Sequence, residues 1–206
     1  MVSDWARFPR PEPGRDFSEE EWQVLAAAVA AGPGALQLRD KGLDGSVRVR
    51  RARRLLEICR LHGVRLLVNG RVDVALAADI GGVHLPGDGL APADARRLLG
   101  PGALLGRSVH AVEEIEGAAG ADFLIFGPVF HTASKRAFGA PQGLDRLATL
   151  CARAGQPVVA IGGIAPERVA SVLAAGAAGV AVIGAVLDAP DPGAAVVAFR
   201  EALGGR

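Results

Sequence analysis

The chain has 206 residues, half of them apolar, enough for one domain with a sizeable core and too few for two of ordinary size. With 23 Lys and Arg against 22 Asp and Glu, the net charge of +1 argues against the broad basic surface of a nucleic-acid or membrane-surface protein, though a local cluster could still grip a small anion. The opening "MVSDWARFPRPEPGRDF" is polar and Pro-rich and no long apolar run follows, so neither a leader nor a membrane span is expected and a cytoplasmic enzyme is the default.

From about residue 18 the sequence repeats one phrase: a helix-length segment of 3.6-residue periodicity, a short apolar run, then a Gly or polar loop. The first helix opens at Ser18 with Glu21 three residues on, the spacing of a capping box. Seven strands follow in order: "ALQLR" (35–39), "VRLLVN" (64–69), "GVHL" (82–85), "ALLGRSV" (103–109), "DFLIFG" (122–127), "PVVAIGG" (157–163) and "GVAVIG" (179–184). Between them lie helical stretches such as "VRVRRARRLLEICRLHG", "PADARRLLG", "AVEEIEGAAG" and "GLDRLATLCARAG", with "PGAAVVAFREALG" closing the chain. Cys59 and Cys151 fall in such stretches without metal-ligand spacing and read as small hydrophobes of a reducing compartment.

Near-continuous apolar strands alternating with helices define a parallel sheet covered on its outer face. If "MVSD" is the tail of one more strand, the count is that of a (β/α)8 TIM barrel of α/β class with a shortened first strand. The open doubly wound alternative lacks a GxGxxG turn after its first strand. Active sites of barrels lie at the C-terminal strand ends. Those ends carry Gln37, Arg39 and Lys41, then Asn69 and Arg71, His84, Ser108 and His110, and the stretch "GPVFHTASK" with His131, Thr132 and Lys135. The last two ends supply Gly162 and Gly163, then Ile183 and Gly184, each before a helix start. Backbone N–H groups there can hold phosphate oxygens, although glycine at such a turn can also serve tight chain geometry alone. Arg39, Lys41, Arg71 and Lys135 bring four cations to one mouth, which favours an anionic small-molecule ligand.

The motifs "QLRDK", "NGRVDVALA", "GVHLP", "GRSVHAVEE", "GADFLIFGPVF", "PVVAIGGI" and "GAAGVAVIGAV" resemble, in order and spacing, those of the thiamine phosphate synthase and thiazole tautomerase (TenI) superfamily. The resemblance covers about residues 35–187 and implies a barrel of thiamine biosynthesis acting on a thiazole phosphate. The synthase branch joins a pyrimidine diphosphate to a thiazole phosphate and holds Mg²⁺ through aspartates. Here Gly70 stands in the first aspartate position, and Gly87 and Gly89 stand where Gln and Asp would follow. Asp73 and Asp88 lie near those positions without matching them. The tautomerase branch aromatises a thiazole carboxylate phosphate by proton transfer, with no metal or cofactor. "NGRVD", "VHLP" and "GRSVH" match that branch, so a metal-independent, cofactor-free thiazole tautomerase is the leading expectation, with Mg²⁺ needed only if the chain is a synthase. Proton transfer needs an acid/base titrating near working pH, usually histidine. The tautomerase histidine corresponds to Pro128, so His131, three residues on, and His110 are the candidates, with His84 behind them. "GPVFHTASK" is also similar to the synthase loop, in which Lys135 would contact phosphate, and its length and composition suggest a lid. Synthase and non-catalytic thiazole phosphate binder are the alternatives, and a homodimer is the expected assembly.

Overall fold

In a computed structural model, residues 1–132 and 140–205 are described. Seven strands form one parallel sheet in sequential order: β1 Ala35–Leu38, β2 Arg65–Asn69, β3 Gly82–Leu85, β4 Leu104–Val109, β5 Phe123–Phe126, β6 Val158–Ile161 and β7 Gly179–Ala181. Every step is parallel because each strand returns through an outer crossover, which buries both faces of the sheet and accounts for the continuous apolar runs.

The segment at Met1–Ser3 supplies the missing eighth element. Val2 forms a parallel bridge with Gln37, and Gln37 N–H donates to Met1 O and Ser3 N–H to Gln37 O, both at 2.9 Å. On its other side Val2 N–H donates to Val182 O at 2.9 Å. Three residues thus join β1 to the end of β7, and the sheet curls into a (β/α)8-type barrel without two open edges.

The outer layer comprises α1 Glu19–Ala30, α2 Gly45–Leu61, α3 Val72–Ala77, α4 Pro92–Leu99, α5 Gly143–Arg153, α6 Val169–Ala174, α7 Gly184–Leu187 and α8 Pro192–Ala202. Proline at the first helical position starts α4 and α8, and Asp191 Oδ1 accepts from Ala194 N–H at 2.9 Å to cap α8. Two apolar clusters fill the space between sheet and helices. One is centred on Leu25, Leu36, Leu55 and Leu85, the other on Leu124, Phe126, Leu147 and Val172. Cys59 is buried in the first and Cys151 is half-buried beside the second, both as free thiols.

Three sequence expectations need correcting. The helix expected over "AVEEIEGAAG" is two 3-10 turns, Val112–Glu114 and Glu116–Ala118, that meet at Ile115; Gly120 follows at φ 86°. Arg39 is not in the β1 ladder, because its N–H donates to Ser3 Oγ at 3.0 Å. The capping box at Ser18 is only half made: Ser18 Oγ accepts from Glu21 N–H at 3.2 Å, but the Glu21 carboxylate turns to Arg51, with Oε1 2.5 Å from Nη2.

That arginine is the centre of a buried ion triad. Arg51 Nε lies 2.7 Å from Asp40 Oδ2, its guanidinium also meets Glu21 and donates to Asp16 O, and it stacks 4.0 Å from the Phe17 ring centroid. All three charged side chains are at most 2% exposed. Asp40 of "QLRDK" therefore ties the loop after β1 to α1 and α2.

Candidate functional site

Alternation along the strands turns Gln37, Asn69, His84 and Ser108 to the inside of the barrel near its C-terminal rim. Gln37 Nε2 donates to Asn69 Oδ1 at 2.7 Å, Asn69 is the register partner of His84, and His84 Nε2 lies 2.8 Å from Ser108 Oγ. The four residues make one polar arc across β1 to β4, whereas Ile125, Val159 and Ala181 face the other half of the interior. A space of about 370 Å³, lined largely by apolar side chains including Leu67, Phe123, Val159 and Phe199, runs from the N-terminal strand ends up to Gln37.

His84 is 3% exposed, and its Nδ1 has no hydrogen-bond partner among the described residues. Burial, with the positive charge of Arg107 nearby, lowers its pKa to about 4, so the ring is neutral at working pH. Gly106 makes room for it, since a Cβ there would stand 2.7 Å from His84 Nδ1 and would run into Phe123.

His110 stands on the exposed edge of the rim, with Nδ1 2.9 Å from Gly127 O and its N–H donating to Glu114 Oε2 at 2.9 Å. His131 is exposed, and Thr132 is half-buried. Lys135 lies outside the described residues. Val129 N–H donates to Ile161 O at 2.9 Å and Phe130 N–H to Gly162 O at 3.0 Å, which lays the stretch after β5 along the end of β6. Gly162 and Gly163, at φ 105° and 62°, sit directly beneath it: a Cβ on Gly162 would be 2.5 Å from Pro128 Cβ, and one on Gly163 would meet His131 O and Phe130. These glycines are thus required by the chain's own close approach, independently of any ligand. Arg168 fixes the turn from below, donating to Gly163 O at 2.7 Å and stacking 4.7 Å from the Phe130 ring centroid.

The cations do not all stand ready. Arg71 grips Asp73 through two bonds of 2.8 and 2.5 Å, and this pairing raises the arginine pKa and lowers that of the carboxyl. Arg39 Nη1 is 3.3 Å from Asp4 Oδ1. Lys41 is exposed, its carbonyl accepting from Trp5 Nε1 at 2.7 Å. Ile183 precedes α7, and over Gly184 lies Arg7, held by Asp188. Sequence reading missed Arg7 and Asp4, because a polar segment ahead of the first helix gives no strand-end signal, and Asp188, because it stands at the far end of α7 rather than at a strand end. It also missed Arg107, which donates to the carbonyls of Gly87, Gly89 and Leu90 at 2.7, 3.3 and 2.9 Å and so holds the loop after β3. A lone arginine inside the apolar run "ALLGRSV" was the available signal.

A magnesium site built from this chain's carboxylates does not fit. Gly70, Gly87 and Gly89 offer no side-chain oxygen, Asp73 is committed to Arg71, and among the described residues no group of three or more His, Cys, Asp and Glu could hold a metal ion.

Fold and site together define a (β/α)8-barrel protein whose polar arc and cation-bearing rim suit a small anionic ligand. The chain belongs to the thiamine monophosphate synthase (TMP-TenI) family, whose pattern it matches over residues 12–186. It is 46% identical over 171 residues, 82% of this chain and 80% of the relative, to a putative thiamine-phosphate synthase of Geobacter sulfurreducens. It is 50% identical over 180 residues to the bifunctional thiamine biosynthesis protein ThiM/ThiE of Symbiobacterium thermophilum, covering 86% of this chain but only 38% of that larger protein. Among solved structures, thiamine phosphate pyrophosphorylase of Pyrococcus furiosus superposes with a TM-score of 0.83 at 30% identity, covering 99% of this chain and 94% of that one.

Proposed function

We propose that the chain is an enzyme of thiamine biosynthesis that couples a pyrimidine diphosphate to a thiazole phosphate, as a thiamine phosphate synthase. The observation that carries this reading is its 46% identity to a relative of that name across four fifths of both chains. It reverses the order suggested by the motifs alone, in which the tautomerase came first. In the coupling, the bond from the pyrimidine's carbon to the diphosphate breaks, the leaving pyrophosphate takes the electron pair, and the thiazole nitrogen forms the new bond. The polar arc of Gln37, Asn69, His84 and Ser108 suits a flat heteroaromatic ring with both donors and acceptors. Arg39, Lys41 and Lys135 supply charge to the leaving group, Arg71 staying on Asp73, and the β6 and β7 ends, with Gly162, Gly163, Ile183 and Gly184, take the thiazole phosphate.

Thiazole tautomerase is the second reading, favoured by Gly70, Gly87 and Gly89 in place of the metal-binding pattern. His110 and His131 are its acid/base candidates. Both reactions are to be assayed on the same preparation, the coupling with and without Mg²⁺. Coupling supports the first reading. Aromatisation of the thiazole carboxylate phosphate without coupling supports the second, and tight thiazole phosphate binding with neither turnover leaves a non-catalytic binder.

A further inference from the structure

We propose that Arg7 is the cation that takes the phosphate at the β7 end of the rim, and that Asp188 holds it in position until the anion arrives. The proposal rests on the rim-phosphate part of the function proposed above and assigns it a residue that no motif pointed to. Arg7 belongs to the 3-10 turn Trp5–Arg7, immediately after the segment that bridges β1 to β7. Its Nη1 lies 2.6 and 2.5 Å from the two Asp188 oxygens, and its Nε is 3.5 Å from Asp4 Oδ2. That Nε is buried and makes no hydrogen bond among the described residues, its ion-pair contact with Asp4 aside, so the Nη groups are the ones that face outward to a ligand.

The geometry around Gly184 gives the placement. A Cβ on that residue would stand 3.4 Å from both Nη1 and Nη2 of Arg7 and 2.6 Å from Asp188 Oδ2. The guanidinium thus lies over the backbone of Gly184, and glycine there admits both charged partners. A phosphate presents the same fork of oxygens that the Asp188 carboxylate now presents. The Asp188 side chain is 56% exposed, so the pair is screened by solvent and an incoming anion can displace it at little cost.

Asp4 carries the coupling onward. Its second oxygen meets Arg39 at 3.3 Å, so one carboxylate holds two guanidinium groups, one near the β7 end and one at the β1 end. With Asp188 swung into solvent, Arg7 and Arg39 outweigh Asp4 by one positive charge, facing the arriving dianion.

The test is calorimetric titration of the full chain with inorganic phosphate and with thiazole phosphate. It compares wild type with Arg7→Ala, Arg7→Lys, Asp188→Asn and the Arg7→Ala/Asp188→Asn double variant, each checked for an unchanged thermal midpoint. Losing a charge-assisted contact weakens binding by about tenfold or more, so Arg7→Ala should lose that much and Arg7→Lys less. Asp188→Asn frees the guanidinium and should tighten binding severalfold, an effect absent from the double variant. A merely structural Arg7 would not produce that tightening. Wild-type binding left unchanged by Arg7→Ala and Asp188→Asn overturns this proposal and leaves the rim-phosphate reading standing. Tightening by Asp188→Asn that survives in the Arg7→Ala background overturns it as well. No phosphate binding by the wild type at all removes the rim reading, and this proposal with it.

Discussion

Arg51 and Arg7 each sit between two carboxylates, and their surroundings give the same chemistry opposite uses. Arg51, with Glu21 and Asp40, is closed off between α1, α2 and the loop after β1, at 1% exposure. Arg7, with Asp4 and Asp188, lies on the rim with a quarter of its side chain in solvent. Desolvation makes the first arrangement costly to break, because removing one partner strands charge in a low-dielectric interior. Solvent makes the second exchangeable. A buried ion cluster therefore pins the loop that presents Arg39 and Lys41, while the rim cluster is free to trade a carboxylate for a ligand.

The largest effect should come from breaking the buried cluster. Arg51→Ala strands two carboxylates and should cost about 3 to 5 kcal/mol, read as a shift in urea midpoint. Burial already raises the pKa values of Glu21 and Asp40. A carboxyl whose folded pKa lies above its unfolded one contributes stability at acid pH that is lost as pH rises through the folded value. Part of the Arg51→Ala deficit should accordingly be recovered on acidification from pH 7 toward 5, and a deficit unchanged across that range would contradict the buried-charge explanation.

Next in size is His84. Its folded pKa of about 4 against the ordinary histidine value of 6.5 means that the unfolded chain binds more protons between those values. Stability should fall as pH drops through that window, by roughly 3 kcal/mol in all. Denaturation of His84→Gln beside wild type at pH 7 and pH 4.5 isolates this contribution, and equal pH slopes in the two proteins would show that His84 titrates normally.

Smaller still is the α1 cap. Ser18→Ala removes the acceptor for Glu21 N–H and should cost about 1 kcal/mol, measurable in the same denaturation series. The smallest stability change belongs to Arg7→Ala, whose exposed pairs contribute roughly 0 to 1 kcal/mol. A loss as large as that of Arg51→Ala would erase the distinction between the two clusters.

Strand positions and the barrel were legible because seven apolar runs alternate with helical periodicity, and Gln37, Asn69, His84 and Ser108 were singled out because they stand at the C-terminal ends of those runs. "MVSD" was harder to read, since its role is set by hydrogen bonds to Gln37 and Val182, distant in sequence. The state of the cations was hidden for the same reason. "QLRDK" announces Arg39 but carries no sign that Asp4 pairs with it, or that Asp40 turns away from the rim to Arg51. Gly162 and Gly163 read as phosphate-loop glycines, while the backbone of residues 128–131 lying against them is reason enough for both.

A crystal structure with thiazole phosphate bound tests the central claim most directly. The phosphate is expected at the C-terminal rim, by Gly163 and Gly184 and within hydrogen-bond distance of Arg7, with the ring beneath it toward Ser108 and His84. Phosphate bound instead in the apolar space at the opposite end of the barrel, with Arg7 still on Asp188, would contradict the assignment of the rim as the reaction site.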